Sequence, residues 1–162
     1  MIAAAATQAV VIAELDGVRA WIDRNDYELT WEPDSLILRA TLTHRLSSEK
    51  FYLVGLLEKY PVLPPAWTFT ASDGAGGGQC RFFPNPEGPP PCGAWVFIKH
   101  GDRGLICAPF NRLAYEKNSA HPEWGDAVQW RSVAPSYVQA HTLGEMFSVI
   151  DRDLHYTRGR MQ

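Results

Sequence analysis

The stretch EKYPVLPPAWTFTASD, residues 58–73, interrupts the regular structure predicted on either side of it. Its three prolines, Pro61, Pro64 and Pro65, remove backbone donors and fix backbone angles, so PVLPPAW cannot lie inside a strand or a helix. The residues that follow, WTFTA, again have the character of a strand. The stretch therefore predicts a proline-rich connection that leads into the fourth strand of a sheet.

Three earlier strands are predicted before this connection. YELTWEP (residues 27–33) is a short one, and FYLVGLLEKY (residues 51–60) is rich in aromatic and β-branched side chains. Between them, apolar and polar residues alternate over residues 36–46, which is typical of a strand with one solvated face. His44 interrupts the apolar face near its end, and we expect it at the rim of the sheet.

Helical spacing occurs on both sides of these strands. Near the start, one helix face is formed by Val11, Leu15, Val18 and Ile22. Near the end, a second helix face is formed by Leu143, Phe147, Ile150 and Leu154, with Ser136 as the expected cap. The order of elements predicts a single α+β domain over residues 1–162: an N-terminal helix, a four-stranded antiparallel meander, an irregular segment and a second helix.

Composition excludes several classes of function. The chain has 162 residues, 46% hydrophobic and 20% charged, which is typical of a globular domain with a proper core. A net charge of −3 argues against nucleic-acid binding, which needs a concentrated basic face. No apolar run reaches the length of a membrane span, and the first residues lack the basic opening of a signal peptide. We therefore expect a cytoplasmic protein that binds neither nucleic acid nor a membrane.

The three cysteines, Cys80, Cys92 and Cys107, form an odd set with long spacings. This is a poor disulfide framework, and there is no CxxC pair to indicate a zinc site. In a reducing compartment all three are expected to be free thiols. A metal site made of three cysteines and a histidine stays open as an alternative, although we predict no metal.

Residues 58–65, which we call the proline segment, resemble the corresponding segment of ubiquitin-conjugating enzymes. In that family a tyrosine-proline pair, a spacer and a double proline precede the last strand of the meander. Here these residues are Tyr60, Pro61, Pro64 and Pro65. GLIC, which ends at Cys107, is similar to the glycine-apolar-apolar-cysteine context of the family's catalytic cysteine. QWRSVAPSYVQAHTLGEMFSVI is similar to the entry into its crossover helix, and the element order agrees over roughly residues 8–155.

The resemblance implies a UBC-like α+β fold with an N-terminal helix, a four-stranded antiparallel meander, an active-site loop and a crossover helix. It implies that Cys107 accepts a ubiquitin-like protein as a thioester from an activating enzyme and passes it to an amine on a target protein. No cofactor is implied, because the activating enzyme consumes the ATP. The chain is most similar to divergent bacterial members, which often act beside a deconjugating metallopeptidase, several of them in antiphage defence.

The chain departs from the family at the oxyanion-stabilising asparagine. The family usually carries a His-Pro-Asn tripeptide shortly before the cysteine, whereas Phe97, Ile98 and Lys99 occupy those offsets here. Acyl transfer passes through a tetrahedral oxyanion that needs preorganised donors. The candidates to replace the asparagine are His100, Asn111, Asn118 and His121.

Thioester chemistry also requires a reachable thiolate at Cys107. The cationic side chains of Lys99, His100 and Arg103 precede the cysteine and are expected to favour its thiolate. Pro109 indicates a turn or the first residue of a helix, which would expose the cysteine at an element boundary.

Three other interpretations stay open. In the first, Cys107 is a small apolar residue buried in the core and has no chemical role. Asn111 then caps a turn, and HPEW, residues 121–124, forms a structural corner. A UBC-like domain without catalysis would serve as a binding module. A cysteine hydrolase of another fold would pair Cys107 with His121 or His141 as base.

Overall fold

The computed structural model describes residues 2–70, 97–100, 103–115, 121–133 and 138–156. Its helices and strands are α1 (Ile2–Arg24), β1 (Glu28–Glu32), β2 (Ile37–Thr43), β3 (Lys50–Leu56), β4 (Ala66–Thr70), β5 (Phe97–His100), β6 (Arg103–Ile106) and α2 (Leu143–Tyr156). Among the described residues between β6 and α2, short 3-10 helices lie at Arg112–Tyr115, Pro122–Trp124 and Ala127–Ser132. Over these described ranges, no helix combines the length and apolar character that crossing a membrane requires.

Strands β1 to β4 form an antiparallel meander in which each strand pairs with the next one along the chain. The predicted order of an N-terminal helix followed by four antiparallel strands is confirmed. Strands β5 and β6 form a separate antiparallel pair, with Phe97 opposite Ile106, and β6 contacts β4. That contact brings the segment after β6, which begins with Cys107, to the edge of the meander.

The core lies between one face of the meander and the two helices, which also pack against each other. Both predicted helix faces are buried in it. From the sheet, β2 contributes alternate residues to the same cluster, namely Leu38, Ala40 and Leu42. Because the alternation has period two on the strand and the helix faces have period 3.6, each pattern marks the side that meets the core.

The proline segment is held between the two helices by polar contacts. Tyr60 follows β3 and is linked to Pro61 by a cis peptide bond. Its hydroxyl donates to the Glu14 carboxylate of α1 at 2.8 Å, and the same carboxylate accepts the Leu143 N–H of α2 at 2.7 Å. Thr7 donates to the Tyr60 carbonyl at 2.6 Å. As predicted, residues 61–65 are neither strand nor helix. The prediction is wrong for the last two residues of PVLPPAW, because Ala66 and Trp67 begin β4.

A glycine in β3 makes room for a fully buried tryptophan. Gly55 pairs with Trp67 of β4, and a Cβ on Gly55 would overlap the six-membered ring of the indole. The ring also meets Phe147 of α2 edge to face, with 5.3 Å between centroids. The position therefore requires glycine because the indole takes the space that any side chain would need.

The predicted extent of the second strand and the rim position of His44 are both wrong. Leu36 has a positive φ of 53° and lies before β2, and Leu46 lies beyond it with 82% of its surface exposed. His44 is fully buried, because the last turn of α2 covers the end of the strand. Its ring stacks on that of His155, with 5.7 Å between centroids.

A partly buried polar network joins α2 to the start of the sheet at this place. The Tyr27 hydroxyl donates to Asp151 at 2.8 Å and lies 3.1 Å from His155 Nε2, while the Arg45 N–H donates to His155 Nδ1 at 3.3 Å. Burial, together with the hydrogen bond to Asp151, raises the pKa of Tyr27 well above its usual range. The network fixes the end of α2 against the β2–β3 turn.

The predicted cap of the second helix is also wrong. The helix begins at Leu143, seven residues after Ser136, which itself lies outside the described residues. Thr142 accepts the Glu145 N–H through its hydroxyl at 3.3 Å, and Glu145 accepts the Thr142 N–H at 3.0 Å. This reciprocal pair is a capping box, which satisfies two N–H groups at the start of the helix.

We predict that Gly55→Ala destabilises the protein by about 1–3 kcal/mol, because the added methyl displaces the Trp67 ring from a close-packed site. The free energy of unfolding in urea measures this. Gly17→Ala is the matched control: nothing lies within 4 Å of a Cβ there, so alanine should stabilise α1 by roughly 0.5–1 kcal/mol. Equal effects of the two substitutions would contradict the packing argument.

Candidate functional site

Cys107 follows directly after β6, at the start of a compact turn. The Ala108 N–H donates to the Ile106 carbonyl at 3.2 Å, and the Asn111 N–H donates to the Ala108 carbonyl at 2.9 Å. Pro109 lies within this turn, as its fixed φ favours. The turn ends in the 3-10 helix Arg112–Tyr115.

Asn111 fastens this turn to the meander. Its side-chain oxygen accepts the N–H of Trp67 at 2.9 Å and that of Leu113 at 3.3 Å. Its side-chain nitrogen donates to the carbonyls of Trp67 at 3.1 Å and Ile106 at 2.7 Å. The residue is fully buried, and its amide hydrogens and oxygen are all engaged.

The end of the proline segment contacts the same turn. The Pro65 carbonyl accepts the Arg112 N–H at 2.9 Å. The Arg112 guanidinium lies 3.7 Å from the carboxylate of Glu58, at the start of the segment. The segment that marks the fold in the sequence therefore also supports the cysteine in space.

The expected exposure of Cys107 is wrong. Only 6% of its surface is accessible, and it packs with Ala114, Trp124 and Val133, flanked by Tyr115. Burial, and after it the negative charge of Glu123, raises the pKa of Cys107 to about 11. The expected preference for the thiolate is wrong as well, because a desolvated thiol beside a carboxylate keeps its proton.

The segment HPEW contributes Trp124 to the cluster around Cys107. Trp124, within the 3-10 helix Pro122–Trp124, is buried against the cysteine cluster. The His121 ring stacks on the indole, with 4.3 Å between centroids and 9° between planes, and its Nδ1 lies 2.8 Å from Glu123 Oε1. The structure therefore connects His121 to the cluster around Cys107 through the Trp124 indole, although His121 lies 14 residues beyond Cys107 in the sequence.

The other residues predicted to stabilise the oxyanion do not have a free donor in the described part of the site. Asn111 has no N–H left for an oxyanion, because both amide hydrogens bond to backbone carbonyls; its contacts support the alternative that it holds a turn. Asn118, Cys80 and Cys92 lie outside the described residues. The backbone of His100 ends β5 opposite Arg103, and its side chain lies outside the described part of the chain.

Sequence reasoning missed Glu123 and Trp124 as neighbours of the cysteine. Their signal was present in HPEW, where a proline fixes a tight turn that carries an aromatic and an acidic side chain. The turn's distance from Cys107 is set by packing that no local pattern encodes.

The structure also gives the position of His141, the other candidate base of a cysteine hydrolase, and the grouping of possible metal ligands. His141, one candidate base, lies against Trp130 with 6.1 Å between ring centroids, and its carbonyl accepts a hydrogen bond from Arg131. His141 therefore lies in the segment that leads into α2, where it contacts Trp130 and Arg131. Within the described ranges, no group of three or more His, Cys, Asp and Glu side chains is arranged to hold a metal ion.

Comparison with known proteins gave no relative. No protein-family model matches the chain, and neither a curated protein nor a solved structure matches it.

We predict that Asn111→Ala lowers the free energy of unfolding by at least about 2 kcal/mol, because it leaves buried backbone groups of Trp67 and Ile106 without partners. Urea unfolding measures this. Asn25→Ala is the matched control, since the amide of Asn25 is half-buried and donates to one carbonyl, that of Trp21. A loss no larger than that of the control would show that the Asn111 amide does not hold the turn.

We predict that alkylation of Cys107 by iodoacetamide rises about tenfold per pH unit from pH 7 to 10 without a plateau, because the thiolate forms only near pH 11. Peptide mapping by mass spectrometry isolates the reaction at Cys107. Glu123→Gln should shift the profile to lower pH by removing the negative charge. A plateau near pH 9 in the unsubstituted protein would contradict the buried thiol.

Proposed function

We propose that this chain has the fold of ubiquitin-conjugating enzymes and carries a ubiquitin-like protein as a thioester on Cys107. The observation that carries the proposal is the anchoring of the cysteine turn. Asn111 bonds it to β4, directly beyond the tyrosine-proline and double-proline segment, and Pro65 accepts its Arg112 N–H. The helix, meander and second helix supply the matching order of elements.

In the first step the Cys107 thiolate attacks the carbonyl carbon of the thioester between the activating enzyme and the ubiquitin-like protein. The bond from that carbon to Cys107 Sγ forms, the bond to the activating enzyme's sulfur breaks, and the released thiolate takes up a proton. The ATP was consumed earlier, when the activating enzyme formed its own thioester, so Cys107 needs no cofactor.

In the second step an uncharged amine of the target protein attacks the same carbon. The C–N bond forms, the bond to Cys107 Sγ breaks, and the proton lost by the amine balances the proton gained by the thiolate. His121 stacks on Trp124, which packs in the same cluster as Cys107, so it is the residue we propose to serve the proton transfer or the oxyanion. The partners are the activating enzyme, the ubiquitin-like protein and the target.

We further propose that the chain acts in the cytoplasm, in a bacterial system that also contains a deconjugating metallopeptidase and serves antiphage defence. These settings follow from the resemblance of the proline segment and of GLIC to the divergent bacterial members of the family. They guide the choice of partner proteins for an experiment.

A non-catalytic binding module is the second candidate, and one observation favours it. Cys107 is 6% exposed and its pKa is raised to about 11, whereas a thioester carrier must present a thiolate. A UBC-like domain that only binds would keep such a cysteine as a small core residue.

We predict that Cys107 gains the mass of the ubiquitin-like protein less one water when the chain is mixed with ATP and with the activating enzyme and ubiquitin-like protein encoded beside it. Intact-mass spectrometry measures the adduct, and a thiol reductant should remove it. Cys107→Ala should abolish it, and Cys107→Ser should give an oxygen ester that resists the reductant.

Matched controls are Cys80→Ser and Cys92→Ser, which should retain the adduct. If the activating enzyme forms its own thioester while Cys107 stays unmodified, the carrier function is wrong and the binding module takes its place. That module is then tested by measuring binding of the ubiquitin-like protein to the Cys107→Ala variant.

A further inference from the structure

A pocket of about 450 Å³ opens between α1 and α2. The residues that line it differ from those that pack around Cys107, so the pocket is separate from the cysteine site. Pockets that hold small ligands in proteins measure roughly 300–1,000 Å³, so this one has the size of a binding site. The lining residues that matter here are, on α1, Gly17, Trp21 and Arg24 and, on α2, Gly144, Glu145 and Ser148.

Two glycines shape the pocket. Nothing lies within 4 Å of a Cβ built at Gly17, so no contact with a described residue requires glycine at this position of α1. A glycine inside a helix costs roughly 0.5–1 kcal/mol relative to alanine. A Cβ at Gly144 would lie 3.8 Å from the Gly17 backbone, so the two positions face each other. The backbone of α1 is therefore open to a ligand at Gly17, where any side chain would extend into the pocket.

One end of the pocket is acidic. Glu145 lies at this end, and the hydrogen bond from the His141 N–H, together with that from Thr142, holds the pKa of its carboxyl below the usual range. The Glu14 carboxylate, which accepts the N–H of Leu143, lies at the same end. Two carboxylates outweigh the partial positive charge of about half a unit at the start of a helix, so this end attracts a cation.

The opposite end carries a cation. Arg24 lies seven residues beyond Gly17 on α1, and a helix rises about 1.5 Å per residue, so about 10 Å separates the two levels along the helix axis. Arg24 is exposed, its Nε donates to the Ala20 carbonyl at 3.0 Å, and it forms no ion pair with a described residue. Because a guanidinium pairs with a carboxylate through two parallel N–H groups, this end fits a carboxylate.

The middle of the pocket offers an apolar surface and two polar groups. Trp21 lies there, and its ring is held against Tyr27 and Phe147, with 5.6 Å and 6.0 Å between centroids. Its indole N–H is a donor, and the Ser148 hydroxyl on α2 is both a donor and an acceptor. Such groups pair with the N–H and the carbonyl of a peptide bond. The middle therefore suits a short peptide better than a plain hydrocarbon chain.

We propose that this pocket, which we call the interhelical pocket, binds a free peptide of about three residues, with its ammonium group at Glu145 and its carboxylate at Arg24. An extended chain spans about 3.3–3.6 Å per residue, so a tripeptide covers the roughly 10 Å between the two charged ends. The site does not involve Cys107 and goes beyond the proposed carrier function, so each can fail without the other.

The test is an NMR titration of the isotope-labelled protein with trialanine at pH 7. The indole N–H signal of Trp21, assigned with Trp21→Phe, and the amide signals of Gly17 and Gly144 should shift saturably, with a Kd of about 1–10 mM. Trialanine amide lacks the carboxylate and N-acetyltrialanine lacks the ammonium group, so each should bind about threefold more weakly or worse. No saturable shift up to about 20 mM, or equal binding of the three peptides, would overturn the proposal.

Substitutions assign each charge of the peptide to one end of the pocket. Arg24→Gln should remove the preference for trialanine over its amide. Glu145→Gln should remove the preference over N-acetyltrialanine, and the substituted side chain still forms the capping box. Arg19→Gln is the matched control, because Arg19 is exposed on α1, pairs with Asp16 and does not line the pocket. If it weakens binding as much as Arg24→Gln does, the effect is one of net charge and the site is wrong.

Gly17→Ala separates binding from stability. The added methyl extends into the interhelical pocket and should weaken trialanine binding by about threefold or more, since a filled site excludes the ligand. The same substitution should stabilise the free protein, so the loss of binding would not come from unfolding. An unchanged affinity would show that the peptide does not lie between the helices and would overturn the site.

An aliphatic zwitterion tests whether the ligand is a peptide. The amino acid 8-aminooctanoate carries its two charges at a similar separation but has no peptide groups for Trp21 and Ser148 to bond. It should bind about threefold more weakly than trialanine or worse, because those hydrogen bonds are lost. Binding as tight as that of trialanine would overturn the assignment to a peptide.

Discussion

Trp67 is the residue on which most of this architecture depends. Its indole fills the space that Gly55 leaves on β3 and meets Phe147 of α2 edge to face. Its backbone N–H and carbonyl both bond to the Asn111 side chain, which holds the cysteine turn. The sheet, the second helix and the candidate site therefore share one anchor, and none of the three can shift without the others.

The proline segment depends on anchors of a different kind. Its three prolines lack the N–H groups that a strand would need, so the segment is held by contacts of Tyr60 and Pro65 with other elements. Tyr60 bonds to Thr7 and Glu14 on α1, and the Pro65 carbonyl accepts the Arg112 N–H. Since Glu14 also accepts the first N–H of α2, one carboxylate fixes how the two helices and the segment meet.

The candidate site combines a rigid support with a closed thiol. The rigid part, Asn111 and the turn it holds, would orient Cys107 in the same way whether the protein transfers an acyl group or only binds a partner. The closed part, around Trp124 and Glu123, keeps the sulfur dry and protonated. Such a thiol is slow to oxidise, because oxidation depends on exposed thiolate.

The sequence alone determined the α+β class, the helix faces and the order of the meander. This was possible because a strand or helix with one buried face repeats its apolar residues every 2 or every 3.6 positions. It also marked Cys107 and the proline segment. It did not determine the burial of His44, the cap at Thr142 or the closed state of the cysteine. Asn111 and Trp67 are 44 residues apart, and Tyr27 and Asp151 are 124 apart. Only the tertiary structure decides such contacts, because nothing in the sequence near a polar side chain indicates which distant residue it will bond to.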